Sequence, residues 1–304
     1  MNWINAFELL CYSIVSILLA DILIRKRWAE LRLFCSAAIA GFILELLAVR
    51  VTGIYHYSPD FYISLGFAPY QFPFFGGLMW GGLTVCGLRI ARKLNMSAPM
   101  TALVTGWLIV SMDLLLDVAA IRLDGGCWVW EGRSITLDVT HHMFMSVIWV
   151  NFLGYLFETP SVVLLSSRVE DKTDHSIGRL ILRTVAVGFA GVAIVGIASG
   201  AALLLNRVTD EWFACIAFIA LWGYILARLI VQLGLGNLTL RGRKDWPLII
   251  FWATMYGYCL AALWSLGIPQ AVPLYGVFGA ILAVGTLMLC AIERTGLERY
   301  VQPS

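Results

Sequence analysis

Charge is what this sequence has least of. Asp, Glu, Lys and Arg make up 13% of its 304 residues, about half the share in soluble domains, where roughly a quarter of positions are charged. With 60% hydrophobic residues and a mean hydropathy of +0.84, no soluble core could hide the apolar surface, which excludes a soluble globular protein. Histidine is scarce, at four residues, so the multiple histidine boxes of membrane di-iron enzymes are missing. The seven cysteines, at positions 11, 35, 86, 127, 215, 259 and 290, lack the close pairs that metal knuckles or redox motifs need and read as small core residues. Basic residues form no patch interleaved with aromatics and the net charge is only +2, so nucleic acid is not an expected partner. Membrane lipid is. No glycine-rich phosphate cradle occurs, and neither cofactor nor metal is expected.

Long apolar runs are what the sequence has in abundance. Segments of roughly 17 to 25 residues, enough to cross a hydrocarbon core of ~30 Å, fall at 4–24, 33–51, 68–90, 99–121, 140–165, 180–205, 212–231, 247–266 and 270–292. The expected fold class is an all-α polytopic membrane helix bundle of about nine transmembrane helices. The first run has no basic residues before it and Arg25-Lys26-Arg27 after it, the reverse of a cleavable signal peptide, so it is expected to stay as a helix. The odd-numbered connections are basic: Arg25, Lys26, Arg27 and Arg32; Arg89, Arg92 and Lys93; Arg168, Lys172 and Arg179; Arg241, Arg243 and Lys244; then Arg294 and Arg299. Positive charge gathers on the cytoplasmic side, which predicts the N-terminus outside, the C-terminus in the cytoplasm, and a multi-pass protein of a bacterial or archaeal plasma membrane. Residues 1–304 read as one membrane domain, with candidate catalytic helices and outer loops over 33–165 and an apolar back half over 180–292.

Ionisable groups inside a span cost a few kcal/mol, so each is a functional candidate by default. Glu45, Asp113, Asp117 and Glu158 are such groups. At 1.5 Å per residue, Glu45 and Asp113 lie roughly 18 and 21 Å from the cytoplasmic ends of their helices and Asn151 roughly 15 Å from the outer end of its own, so the three share a depth. Asp113 and Asp117, four apart, occupy one helical face. Two carboxylates that close cannot both ionise cheaply at low dielectric, so the pair is expected to share a proton and act as an acid beside a base. A structural pair satisfied by Arg50, a tyrosine hydroxyl or backbone is the plainer alternative. Asp21 is placed to pair with Arg25 at i,i+4, Glu8 to snorkel to the outer surface, and Glu158, two residues before Pro160, to serve a separate helix contact. Asp138, His141 and His142 have the spacing i, i+3, i+4, at which one carboxylate and two imidazoles could converge on a metal, but adjacent histidines diverge by about 100° on a helix, which ranks metal binding below a role in tuning the carboxylates. His141 is therefore assigned to the surroundings of the carboxylates. Gly77-x-x-x-Gly81 and Gly196-x-x-x-Gly200 are spacings that let membrane helices approach closely. The aromatic loops around Tyr55 and Tyr57 and around Trp128 and Trp130 are expected on the outer side, where an interfacial belt is the alternative to a binding role.

The order Glu45, Gly53-Ile54-Tyr55-His56-Tyr57, Asp113-x-x-x-Asp117, Trp128-Val129-Trp130 and Asn151-Phe152-Leu153-Gly154-Tyr155 resembles the membrane carotenoid biosynthesis protein family, which includes carotenoid 1,2-hydratases of the bisanhydrobacterioruberin hydratase type. The resemblance spans roughly residues 40 to 165. The chain departs from it at Val118, where the family tends to have proline, at His141-His142, where a proline-bearing turn is usual, and at Tyr155, where tryptophan is common. It implies a cofactor-independent enzyme that hydrates a terminal C=C of a long polyene or terpenoid. Asp113 and Asp117 would supply the proton and Tyr55, Tyr57, Trp128 and Trp130 would steady the tertiary carbocation through their ring faces. Glu45 would direct the water and Asn151 would fix the geometry. A cyclase using the same cation is the first alternative. A proton-coupled transporter is the second, although its repeat-related halves are not evident. An intramembrane prenyltransferase would need a second aspartate-rich motif, and a purely structural subunit would be indifferent to losing the aspartates.

Overall fold

The computed structural model describes residues 2–53, 55–132, 134–169, 176–235, 238–239 and 244–294; Ile54, Lys172, Arg241, Arg243 and Arg299 lie outside the described residues. The helices are α1 (Trp3–Ile24), α2 (Trp28–Leu47), α3 (Phe74–Lys93), α4 (Ala98–Ala120), α5 (Trp149–Val169), α6 (Ile177–Val208), α7 (Trp212–Leu235), α8 (Trp246–Ser265), the short α9 (Ile268–Ala271) and α10 (Pro273–Ala291). Eight are long and apolar enough to cross a membrane. Helix α5 has the length, at 21 residues, but Asn151, Glu158 and Pro160 dilute its apolar run. The architecture is an all-α polytopic bundle.

Local chemistry sets most of the boundaries. Asn2 caps α1 by accepting from the Asn5 N–H, and Asp245 caps α8 by accepting from Leu248. Prolines occupy the first turn of α4, α8 and α10, where a missing N–H costs nothing. Helix α2 runs on through a wide turn, Ala48–Thr52, and stops at Gly53, whose φ of 58° reverses the chain.

Two boundaries differ from the sequence expectation. The 68–90 run becomes helical only at Phe74, because Pro69 and Pro73 favour extended backbone before and around them. Phe72–Pro73 (β3) instead pairs with Ser64–Leu65 (β2). The 140–165 run becomes helical only at Trp149, since Met143–Phe144 (β5) and Val147–Ile148 (β6) form a hairpin closed by Met145 and Ser146 at φ 47° and 72°. His141 and His142 therefore sit on a loop. Tyr55–Tyr57 (β1) and Trp128–Trp130 (β4) make a second antiparallel ribbon, and Leu238–Thr239 (β7) pairs with Glu293–Arg294 (β8).

Helix α4 is the axis of the bundle, packed by α3, α5, α7, α8 and α10. The Tyr275 hydroxyl of α10 donates to the Leu114 carbonyl of α4 at 2.6 Å, so the back half closes directly on the centre. At one end of the bundle, buried Arg89 of α3 reaches Asp21 of α1 (2.9 Å), Glu30 of α2 (2.6 Å) and Asp245 before α8 (3.3 Å), while Asp21 also pairs with Arg25 at 2.6 Å as the sequence predicts. At the other end Glu8 does not snorkel. It is fully buried and accepts from the Tyr62 and Ile63 N–H groups at 2.6 and 2.9 Å, anchoring the loop that carries β1. That loop is further tied to α1 by Asn5, which donates to the Asp60 carbonyl at 2.7 Å.

Candidate active site

The β1–β4 ribbon turns the aromatic loops into a surface. Successive side chains on a strand point to opposite faces, so Tyr55 and Tyr57 share one face with their partners Trp130 and Trp128, while His56 and Val129 take the other. The outer face is polar, with His56 Nδ1 2.5 Å from Glu131. The inner face is a mosaic of rings: Tyr55 to Trp130 at 5.0 Å, Tyr55 to Tyr57 at 5.5 Å, Tyr57 to Trp128 at 5.9 Å and Tyr57 to Phe72 at 5.3 Å between centroids. The Ser58 N–H bonds the Cys127 carbonyl at 2.9 Å and Gln71 bonds the Tyr57 carbonyl at 2.8 Å, pinning the ribbon. Both tryptophans pack on the protein interior: Trp130 is 8% exposed and Trp128 is half-buried against the core.

Beneath the rings lie the carboxylates. Glu45, buried on α2, accepts from the Tyr55 and Tyr57 hydroxyls, the latter at 2.7 Å, and the Trp80 indole of α3 lines the same cavity. Burial raises both phenols well above the ordinary tyrosine value and the Glu45 charge raises them further, so both remain donors. Asp117 accepts from Asn151 at 2.8 Å. Asp113 lies one turn below on the same helix, and its Oδ2 is buried without a partner. Arg50 takes no part: its guanidinium lies beside Gly66.

These groups surround one cavity of about 90 Å³, several times the space one water needs. Glu45, Asp113, Asp117, Asn151, Tyr55, Tyr57, Trp128 and Trp130 all line it, so eight of the nine site residues expected from sequence converge. The ninth, His141, does not. It stacks on Trp212 at 4.4 Å and 3° between planes, and the cause is the β5–β6 hairpin, which carries it away from α5. The sequence reading missed Trp80 and Met255, through which α3 and α8 join the lining. A lone tryptophan in a glycine-rich helix and a methionine in an apolar run give no sequence signal.

No family model matches the chain, nor does any curated protein or solved structure. The site must be read from its own chemistry. It holds two buried carboxylates one helical turn apart, a separate carboxylate held by two tyrosine hydroxyls, four ring faces, and an apolar floor of Met79, Leu83, Ile109, Met112 and Leu116.

Proposed function

We propose that the protein is a membrane-embedded enzyme that hydrates a terminal C=C of a lipid-soluble polyene or terpenoid by carboxylate acid-base chemistry. One observation carries this reading: a buried, unpartnered oxygen of Asp113 shares an apolar cavity with the four rings of the β1–β4 ribbon. Protonating an isolated alkene needs a strong, water-shielded acid and a means of stabilising the resulting cation. Asp113 is the better proton donor of the pair, because Asp117 is occupied as acceptor to Asn151. Its proton adds to the less substituted alkene carbon and leaves a tertiary cation. Each ring face supplies about 1–2 kcal/mol to that cation when desolvated. Water bonds to the cationic carbon and Glu45, ionised and oriented by Tyr55 and Tyr57, accepts the proton that the water sheds. The net change is one water added across one double bond, and return of the proton to Asp113 resets the site.

A cyclase using the same cation is the second reading, favoured by the apolar floor of the cavity, which would hold an internal alkene where hydration needs water. The basic connections then lie in the cytoplasm of a bacterial or archaeal cell, with the ribbon outside.

Expression in a lycopene-accumulating bacterial host, beside an Asp113→Asn, Asp117→Asn control, tests the proposal through chromatography and mass spectrometry of the pigments. A product heavier by one water that vanishes in the control is the expected result. An isomer of unchanged mass would make the enzyme a cyclase. Unaltered lycopene, with the folded protein in the membrane, would remove lycopene as substrate and bring other terpenoids, then transport, to the front.

A further inference from the structure

Away from the cavity, two loops bring together nitrogen and oxygen ligands from opposite halves of the sequence. His141 and His142 precede the β5–β6 hairpin, and Asp210 and Glu211 form the turn between α6 and α7. One ligand atom from each of His141, His142 and Asp210 lies within 4.8 Å of the other two. His141 Nε2 is 3.8 Å from Asp210 and His142 Nδ1 is 3.2 Å from Glu211. Asp138, the carboxylate that helical spacing would have added, is not in this group; its backbone N–H bonds Thr136 instead.

Both loops are held. Thr140 accepts from the His142 and Met143 N–H groups, and its carbonyl accepts from the Trp149 indole at 2.7 Å. On the other side Asn206 accepts from Glu211 and Ala214 N–H groups at 2.9 and 2.8 Å. Asp210 and Glu211 both adopt positive φ, 49° and 63°, the geometry that turns their carboxylates toward the histidines. Trp212 fixes the plane of the His141 ring. His141 Nε2 is nonetheless shielded from water without a hydrogen-bond partner, and leaving such a nitrogen unpaired costs about 1–3 kcal/mol.

We propose that His141, His142 and Asp210 bind a divalent first-row transition metal, zinc foremost, as a clamp between the loop entering α5 and the α6–α7 turn. Two imidazoles and a carboxylate suit zinc and its neighbours over calcium or magnesium, which prefer all-oxygen sites. Zinc–ligand bonds of about 2.0–2.1 Å place tetrahedral ligand atoms about 3.4 Å apart, and the Asp210 carboxylate, 85% exposed, is free to rotate into that spacing. Glu211 orients His142 as the carboxylate of a carboxylate–histidine pair, and water completes the coordination. Because α5 carries Asn151 and Tyr155 into the cavity, the clamp would steady one wall of the site without touching substrate.

The test needs no substrate, so it stands or falls apart from the hydratase reading. Tag-free protein in detergent, stripped by chelator and dialysed, is titrated with Zn2+ by calorimetry and with Co2+ by visible absorption. One equivalent should bind and raise the unfolding temperature. Cobalt should give d–d bands without the near-ultraviolet charge transfer of a thiolate ligand, which separates this site from the seven cysteines. Asp210→Asn, a substitution at an exposed side chain that leaves folding intact, should weaken binding at least tenfold, as should His141→Ala, while Asp138→Ala should keep wild-type affinity. Absence of binding by the folded wild type, thiolate charge transfer, or equal affinity in Asp210→Asn and His141→Ala would overturn the proposal.

Discussion

The two Gly-x-x-x-Gly pairs look alike on paper and occupy opposite environments. A Cβ on Gly77 would fall 2.4 Å from the Phe42 ring and one on Gly81 2.8 Å from the Phe34 carbonyl oxygen, so α3 receives a ring of α2 at Gly77 and meets its backbone at Gly81. Gly196 and Gly200 on α6 meet nothing within 4 Å in the chain; the expected helix approach is not made there. The surrounding helices differ in the same sense. About 94% of the apolar window of α4 and 83% of that of α3 are buried inside the protein, against 22% for α6 and 28% for α7, although α6 and α7 are the more apolar pair. In a bundle solvated by lipid, hydropathy marks what is in the membrane, and small or polar residues mark what is inside the protein.

The strongest way to sharpen the contrast is at the polar centre of α4. Asp113→Asn keeps the shape and removes the proton, and should lower hydration or cyclisation by about 10²–10⁴-fold, the usual worth of a positioned general acid. Product formation per folded protein measures it. If the rate survives, α4 is only a structural core and the proposed chemistry fails. Next comes the glycine pair itself. Gly81→Ala pushes a methyl against backbone and should destabilise the protein by about 1–3 kcal/mol, the cost of overpacking. Gly200→Ala faces open space and should change stability by no more than about 0.5–1 kcal/mol, in the favourable direction, through helix propensity. Thermal unfolding of both variants in one detergent reads the difference; equal losses would mean that α6 packs on a partner through Gly200. A smaller effect is expected at the ribbon. Tyr57→Phe removes one of the donors to Glu45 and leaves the ring, so the rate should fall about tenfold for a hydrogen bond to a charged group worth about 1.5 kcal/mol, with the unfolding temperature little altered.

What could be read from the sequence follows the same division. The spans and the common face of Asp113 and Asp117 rest on helical periodicity, and Glu45, Asp113, Asp117 and Asn151 converge on one cavity, although Asn151 reaches it from the first turn of α5 and not from the helix interior that the expected start at 140 implied. The alternation in Tyr55-His56-Tyr57 and Trp128-Val129-Trp130 already holds the strand period, but strand pairing across 70 residues of chain has no local signature. The β5–β6 turn hid for another reason. Two-residue hairpin turns of positive φ favour Asn-Gly or Asp-Gly, whereas Met145 and Ser146 occupy this one, within an apolar run that reads equally as helix. That turn alone moved His141 out of the expected site. Glu8 was misread because depth along one helix says nothing of a loop folding over it.

Glu45 and Glu158 complete the comparison inside the polar front of the bundle. Both are buried, at 6% and 2% exposure. Glu45 holds two donors, whereas both oxygens of Glu158, and the neighbouring Thr159 hydroxyl, have no hydrogen-bond partner. Glu158 also lies outside the cavity lining, beside Pro160, which packs 3.0 Å from where a Gly106 Cβ would stand at the α4–α5 crossing. A buried polar group without partners contributes only its desolvation cost, and an apolar group of the same shape is then neutral or stabilising. Glu158→Met should therefore leave product formation within about twofold and raise stability by on the order of 1 kcal/mol, a shift readable as a small rise in unfolding temperature. A tenfold loss of product in a variant that unfolds no earlier than wild type would instead draw Glu158 into proton return from Glu45 to Asp113, and the front carboxylates would then form a relay longer than the cavity they line.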